Sequence, residues 1–151
     1  MPNVLPEIYD FLVCGKAGRD PYGRINFEGV FQAGVILVPA NVQTATIGLV
    51  AVWMFTDGHG TFKAVAGLSG PPGFGSSQQR LPDVPKDASF GVTIPVNFKG
   101  APPMPIGKYE VTLTLDSRTY KRWFEIRRDP SITGAGSGQS LPYLLDQKTV
   151  N

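Results

Sequence analysis

The chain has 151 residues, with 14 Lys and Arg against 12 Asp and Glu, a formal net charge of +2. That length suits one domain, which buries about 68–70% of its unfolded surface without a disulfide or metal staple. So small a net charge gives no case for nucleic acid as a partner. The single cysteine, Cys14, excludes an internal disulfide and fits a reducing compartment. No basic-then-apolar leader opens the chain, so the expected location is the cytoplasm, or a virion or particle. The 18 Gly and 14 Pro argue for many turns and against long helices.

Residues 6–15 (P-E-I-Y-D-F-L-V-C-G) read as a first strand with apolar residues on both faces. Residues 16–23 read as a turn. Residues 24–31 (R-I-N-F-E-G-V-F) alternate and predict a second strand with Ile25, Phe27 and Phe31 inward, and Gly29 at a bulge. Residues 34–38 form a short apolar strand ended by Pro39. Residues 44–55 (T-A-T-I-G-L-V-A-V-W-M-F) are the most apolar run. Ile47, Leu49, Ala51, Trp53 and Phe55 make one face; Gly48, Val50, Val52 and Met54 make the other, also apolar. A strand with two apolar faces is expected to be covered on both sides. The run is too short for a membrane span, which needs about 20 apolar residues.

A turn follows at Asp57-Gly58-His59, then a returning strand over residues 61–69 with Phe62, Ala64, Ala66 and Leu68 on one side. Residues 70–88, rich in Gly, Pro, Ser and Gln, read as one long loop of the kind that binds something. Residues 90–98 predict a strand at a sheet edge, since Pro95 has no N–H to give.

Residues 107–128 (G-K-Y-E-V-T-L-T-L-D-S-R-T-Y-K-R-W-F-E-I-R-R) carry the clearest signal, two alternating strands around a polar turn. Tyr109, Val111, Leu113 and Leu115 point inward, with Arg122, Phe124, Ile126 and Arg128 from the return strand; Arg122 is anomalous there. A two-residue turn at Ser117-Arg118 would oppose Glu110 and Glu125. A loop over residues 117–120 opposes Glu110 to Arg127 and Asp116 to Lys121. Opposite charges are worth about 0.2–1 kcal/mol across a pair, so the longer loop is expected. Trp123 then lies on the polar face, opposite Thr114.

Seven or eight strands, regular turns and no convincing helix predict an all-β chain, an antiparallel immunoglobulin-like β-sandwich over residues 1–128. A small barrel of the oligonucleotide-binding type is the alternative, but it usually carries a helix mid-chain. Residues 129–151 differ. Gly134-Ala135-Gly136-Ser137-Gly138 has linker composition. Leu141-Pro142-Tyr143-Leu144-Leu145 then reads as a docking arm, or as a cover for the chain's own sheet.

The catalytic inventory is thin. His59, the single histidine, cannot build a metal site, so it reads as a turn residue. Cys14 is a nucleophile only if the fold brings it a base, with His59 the one candidate; otherwise it is a small hydrophobe. Asp83, Asp87, Glu110 and Asp116 read as solvated charge. P-P-G-F-G-S-S lacks the lysine of a phosphate loop. No catalytic residue, cofactor or metal site is expected. Basic residues crowd the last hairpin but interleave with Glu110, Asp116, Glu125 and Asp129, which favours a salt-bridged face over a nucleic-acid groove.

The segments P-E-I-Y-D-F-L-V-C-G, G-R-I-N-F-E-G-V-F, V-P-A and the closing G-K-Y-E-V-T-L-T-L-D resemble a family of small uncharacterised bacterial β-sandwich proteins across residues 5–128. The resemblance implies a fold and no activity.

Two functions follow as expectations. The first is a non-catalytic module acting by protein–protein association, with itself or as a subunit of a phage or virus-like particle or a bacterial complex. Val50, Val52, Met54, Trp123, Leu141, Tyr143, Leu144 and Leu145 would then lie at contacts, and a homo-oligomer is expected. The second is a glycan- or small-ligand-binding module, with Tyr22, Tyr120 and Trp123 as stacking platforms.

Overall fold

A computed structural model describes residues 2–45, 48–98 and 103–132. The chain is all-β, with no α-helix among the described residues. Eleven strands follow in order: β1 Glu7–Arg19, β2 Ile25–Val30, β3 Val35–Pro39, β4 Thr44–Ala45, β5 Val50–Thr56, β6 Gly60–Ser69, β7 Ser76–Lys86, β8 Val92–Asn97, β9 Met104–Pro105, β10 Gly107–Leu115 and β11 Arg118–Asp129. They form a four-stranded sheet ordered β2-β1-β5-β8, a five-stranded sheet ordered β3-β11-β10-β6-β7, and a two-stranded ribbon of β4 and β9. Every pairing is antiparallel except that of β3 with β11.

Both large sheets feed one apolar core. The four-stranded sheet contributes Val13, Ala51, Trp53, Phe55, Ile94 and Val96; the five-stranded sheet contributes Phe62, Ala64, Ala66 and Leu68 from β6, and Tyr109, Val111, Leu113 and Leu115 from β10. Alternation therefore gives the core-facing residues correctly on β5, β6 and β10. Pro95 lies on β8, an edge strand, as its missing donor requires.

Several expected boundaries are corrected. β1 runs on to Arg19 because residues 16–19 keep pairing with β2. Phe27 packs on a small outer cluster and Phe31 on the main core, so they do not share a face. The β1–β2 register is the same on both sides of Gly29, so no bulge stands there. The apolar run at 44–55 is two strands. Thr44 and Ala45 pair with β9, whereas Val50 onward pairs with β1 and β8, and one straight strand cannot lie in both sheets.

The supposed loop at 70–88 contains β7. A tight turn, with Gly70 N donating to Gly75 O and Phe74 N to Pro71 O, leads into it. β7 tolerates Pro82 and Pro85 because it is an edge strand with a register shift between Phe62 and Ala64 on its partner.

The last hairpin takes neither expected register. Leu115 pairs with Arg118, so the turn is the dipeptide Asp116-Ser117, and Glu110 faces Trp123 while Lys108 faces Glu125. Asp116 adopts φ of 52°, a left-handed conformation that Asp tolerates. Its amide donates to Lys63 O at 2.9 Å and its carboxylate accepts from Lys63 N at 2.8 Å. These bonds pin the turn to β6 and outweigh cross-strand charge pairs worth tenths of a kcal/mol. The observed register differs from both alternatives by an even number of residues, so the inward face is unchanged.

The N-terminal segment closes one end of the molecule. Val4 and His59 exchange two backbone hydrogen bonds of 2.9 Å, and Tyr120 Oη donates to Pro6 O at 2.6 Å. Gly58 permits this approach, since a Cβ there would stand 2.5 Å from Val4 O.

Candidate functional site

The outer face of the five-stranded sheet is polar across β6 and β10 and becomes mixed at β11 and β3. Trp123 projects from this face and is 56% exposed. Beside it, a shallow groove of about 460 Å³ is lined by Ala33, Gly34, Val35, Lys108, Trp123, Phe124, Glu125 and Arg127.

Local sequence builds this groove. A 3-10 turn at Gln32–Gly34 carries two left-handed residues, Ala33 (φ 56°) and Gly34 (φ 68°), and drops the chain into β3. Gly34 presses on β11, where a Cβ would come 3.4 Å from Trp123 O. β3 pairs with β11 only from Glu125 onward, so Trp123 has no strand on that side and the groove opens there. Leu37, opposite Arg127, extends the apolar strip and is itself exposed.

The charges around Trp123 are of both signs. Arg127 Nη2 donates to Glu125 Oε1 at 3.0 Å, and this bond holds the Glu125 carboxyl below its usual range. Lys108 lies across the strand pair from Glu125. Arg122, assigned inward by alternation, is exposed, and its Nη1 donates to Lys121 O at 2.8 Å. β3 begins pairing only beyond it, so the side chain reaches water past an uncovered stretch of β11.

Other expected site residues lie elsewhere. Val50 and Val52 are 3% and 0% exposed, buried within this chain in a cluster with Cys14. Leu12, Ala17, Phe27 and a half-buried Met54 pack around that cluster. Val50 and Val52 therefore present no surface to a partner in this fold. Tyr120 is 4% exposed and is no stacking platform. Its ring packs edge-on to Phe55 at 4.9 Å, with the Arg118 guanidinium 4.8 Å from the ring centre. Tyr22 is 84% exposed in a turn organised by Asp20, which accepts from the amides of Tyr22 and Arg24. It lies on the β1–β2 turn of the other sheet, apart from Trp123. Leu141, Tyr143, Leu144 and Leu145 lie outside the described residues.

Cys14 and His59 are not brought together. Cys14 pairs with Val50, whereas His59 follows Thr56 at the far end of β5, about 20 Å away at ~3.3 Å per residue. Burial raises the Cys14 thiol above its ordinary pKa, the opposite of an activated nucleophile. Among the described residues no group of three or more His, Cys, Asp or Glu stands together to hold a metal ion. No helix among them is long and apolar enough to cross a membrane.

Sequence reasoning found Trp123 and missed Val35, Leu37, Lys108 and Arg127 beside it. The signal available was a glycine directly before an apolar strand, Gly34-Val35-Ile36-Leu37. Its pairing with residues about 90 positions later in the chain has no local signature. No protein-family model matches this chain, and no curated protein matches it.

Proposed function

We propose that this chain is a non-catalytic β-sandwich module of the immunoglobulin type that acts by protein–protein association through the Trp123 face. Two open sheets sharing one core support the sandwich reading. So does Tyr109, near the start of β10, whose hydroxyl donates to Pro105 O at 2.6 Å four residues upstream, in the manner of a tyrosine corner.

The observation that carries the functional reading is Trp123 standing exposed beside a groove walled by Val35 and Arg127, with Leu37 continuing the strip. Trp and Arg are the residues most enriched at interface hot spots, and a large ring held among aliphatic neighbours is a typical anchor. The glycan reading keeps Trp123 but loses Tyr120 to the core, and Phe124, the other aromatic among the described residues lining the groove, is buried at 2% exposure.

The test is selection from a displayed library of random peptides against the full chain, followed by re-measurement on Trp123→Ala. A hot-spot anchor is worth about 2 kcal/mol or more, so binders should weaken roughly 30-fold or further. Binders indifferent to Trp123→Ala would count against this face. An empty selection with Trp123-dependent binding on a glycan array would transfer the site to the second reading.

A further inference from the structure

We infer that β2 is a self-association edge: two copies of this chain pair their β2 strands antiparallel about a two-fold axis at Asn26, joining two four-stranded sheets into one.

The two large sheets have four edges, and three of them are interrupted by proline. β7 carries Pro82 and Pro85, β8 carries Pro95, and β3 reaches Pro39 after four residues. A proline on an edge has no N–H to give and deters an incoming strand. β2, the outer strand of the four-stranded sheet, has none. Two left-handed glycines, Gly23 (φ 79°) and Gly29 (φ 67°), bound the stretch from Arg24 to Glu28, whose midpoint is Asn26.

The ladder with β1 decides which backbone groups face outward. Asp20 N donates to Arg24 O at 2.9 Å. Hydrogen-bonded and non-hydrogen-bonded pairs alternate along an antiparallel ladder. Ile25, opposite Arg19, is therefore of the second kind, and so is Phe27, opposite Ala17. Both turn their N–H and C=O groups away from β1, toward the open edge.

Two-fold pairing requires an edge that complements itself. About an axis at Asn26, Ile25 meets Phe27 of the second copy, and their outward groups exchange the new ladder bonds. Arg24 meets Glu28 of the second copy, once at each end. Moving the axis to Ile25 or to Phe27 sets Arg24 against Asn26 or Val30 and loses both charge pairs. Arg24, Asn26 and Glu28 are all exposed. Glu28 forms no ion pair among the described residues, and Arg24 binds Asp20 through Nε, which leaves its Nη groups for another carboxylate. On the other face Phe27 packs half-buried against Cys14, Val50 and Val52, and Ile25 is half-buried too. Ile25 of the second copy extends that apolar cluster at its open side. Trp123 stands on the five-stranded sheet, so pairing at β2 leaves its face free and gives each dimer two of them.

The test is sedimentation velocity on the full chain from micromolar to near-millimolar concentration, with Arg24→Glu, Glu28→Arg and their equimolar mixture. Urea midpoints show whether each variant is folded. The native chain is expected to reach twice its 16.3 kDa mass as concentration rises. Each single variant opposes like charges at both ends of the pair and should associate roughly tenfold more weakly or worse. The mixture should recover association, because each variant supplies the charge that the other has lost. Glu28→Arg leaves the Asp20 turn untouched and carries the test alone if Arg24→Glu is unfolded. A monomer across the whole range overturns the inference. So does association that Glu28→Arg leaves unchanged, which would place the contact on another surface. A mixture of two folded variants that fails to recover overturns it as well.

Discussion

The two large sheets have outer faces of opposite character. On the four-stranded sheet, Val50, Val52 and Cys14 form an apolar outer cluster, and the chain buries it under its own neighbours. On the five-stranded sheet the outer face is largely polar, yet it leaves a tryptophan more than half exposed. An apolar strand face is thus no sign of a contact surface when its members are small. Val and Cys project only a short distance, and flanking Leu12, Phe27 and Met54 can close over them. Trp123 stands too tall for Glu110 and Lys121 to cover, and β3 starts too late to shield it. Exposure is decided by side-chain height and by where a neighbouring strand begins, neither of which an alternation pattern records.

The sharpest way to break this contrast is to place the same charge on each face. Val52→Asp puts an unpaired carboxylate at a position with 0% exposure. It should cost on the order of 3–5 kcal/mol, enough to unfold much of the population of a marginal domain. Trp123→Asp should shift stability by less than about 1 kcal/mol, as exposed substitutions do, while removing peptide binding. Urea midpoints of the two variants decide it. Equal costs would mean that one face has been misassigned.

A smaller effect separates the two tyrosines of the core from the tryptophan outside it. Tyr120→Phe removes the hydroxyl that Pro6 O accepts and should cost about 1 kcal/mol, leaving Trp123-dependent binding unchanged. Loss of binding in Tyr120→Phe would return Tyr120 to the site. Tyr109 adds a pH signature. Burial raises its phenol to about 12 from an ordinary value of 10.0. Above the unfolded value the unfolded chain sheds a proton that the folded chain keeps, so the unfolded state binds fewer protons. Stability should be fully present below pH 10 and fall between pH 10 and 12. Tyr109→Phe should flatten that part of the curve; an unchanged slope would assign it to other groups.

The sequence made the inward residues of β5, β6 and β10 legible and left the partners illegible. Tyr109, Val111, Leu113 and Leu115 announce themselves by alternation, because burial on one face of a strand has a period of two. The register of that hairpin was not legible, because it is set by Asp116 binding Lys63, more than fifty residues earlier. β7 was hidden for a related reason. Pro82 and Pro85 look like breakers in isolation, and only an edge position makes them compatible with a strand. The site divides in the same way. A tryptophan among alternating charges is visible locally, but the wall supplied by Ala33, Gly34 and Val35 exists only once β3 lies beside β11.

The finest difference between the faces concerns how the covered one stays covered, and Cys14 reads it. Its thiol is fully buried, is held above its ordinary pKa by that burial, and approaches Lys16 O at 3.4 Å. A disulfide reagent should therefore label the native chain only through opening events, far more slowly than a free thiol. Two origins of opening are distinguishable by adding urea below the unfolding transition. If Leu12, Phe27 and Met54 lift away locally, labelling should be nearly insensitive to denaturant, since little surface is exposed. If the cover belongs to the cooperative core, the free energy of labelling should equal that of global unfolding and share its slope. The continuous pairing of β1 with β5 through Leu12, Val13 and Cys14 favours the second outcome, because exposing the thiol requires parting the strand that also carries Val13 into the main core.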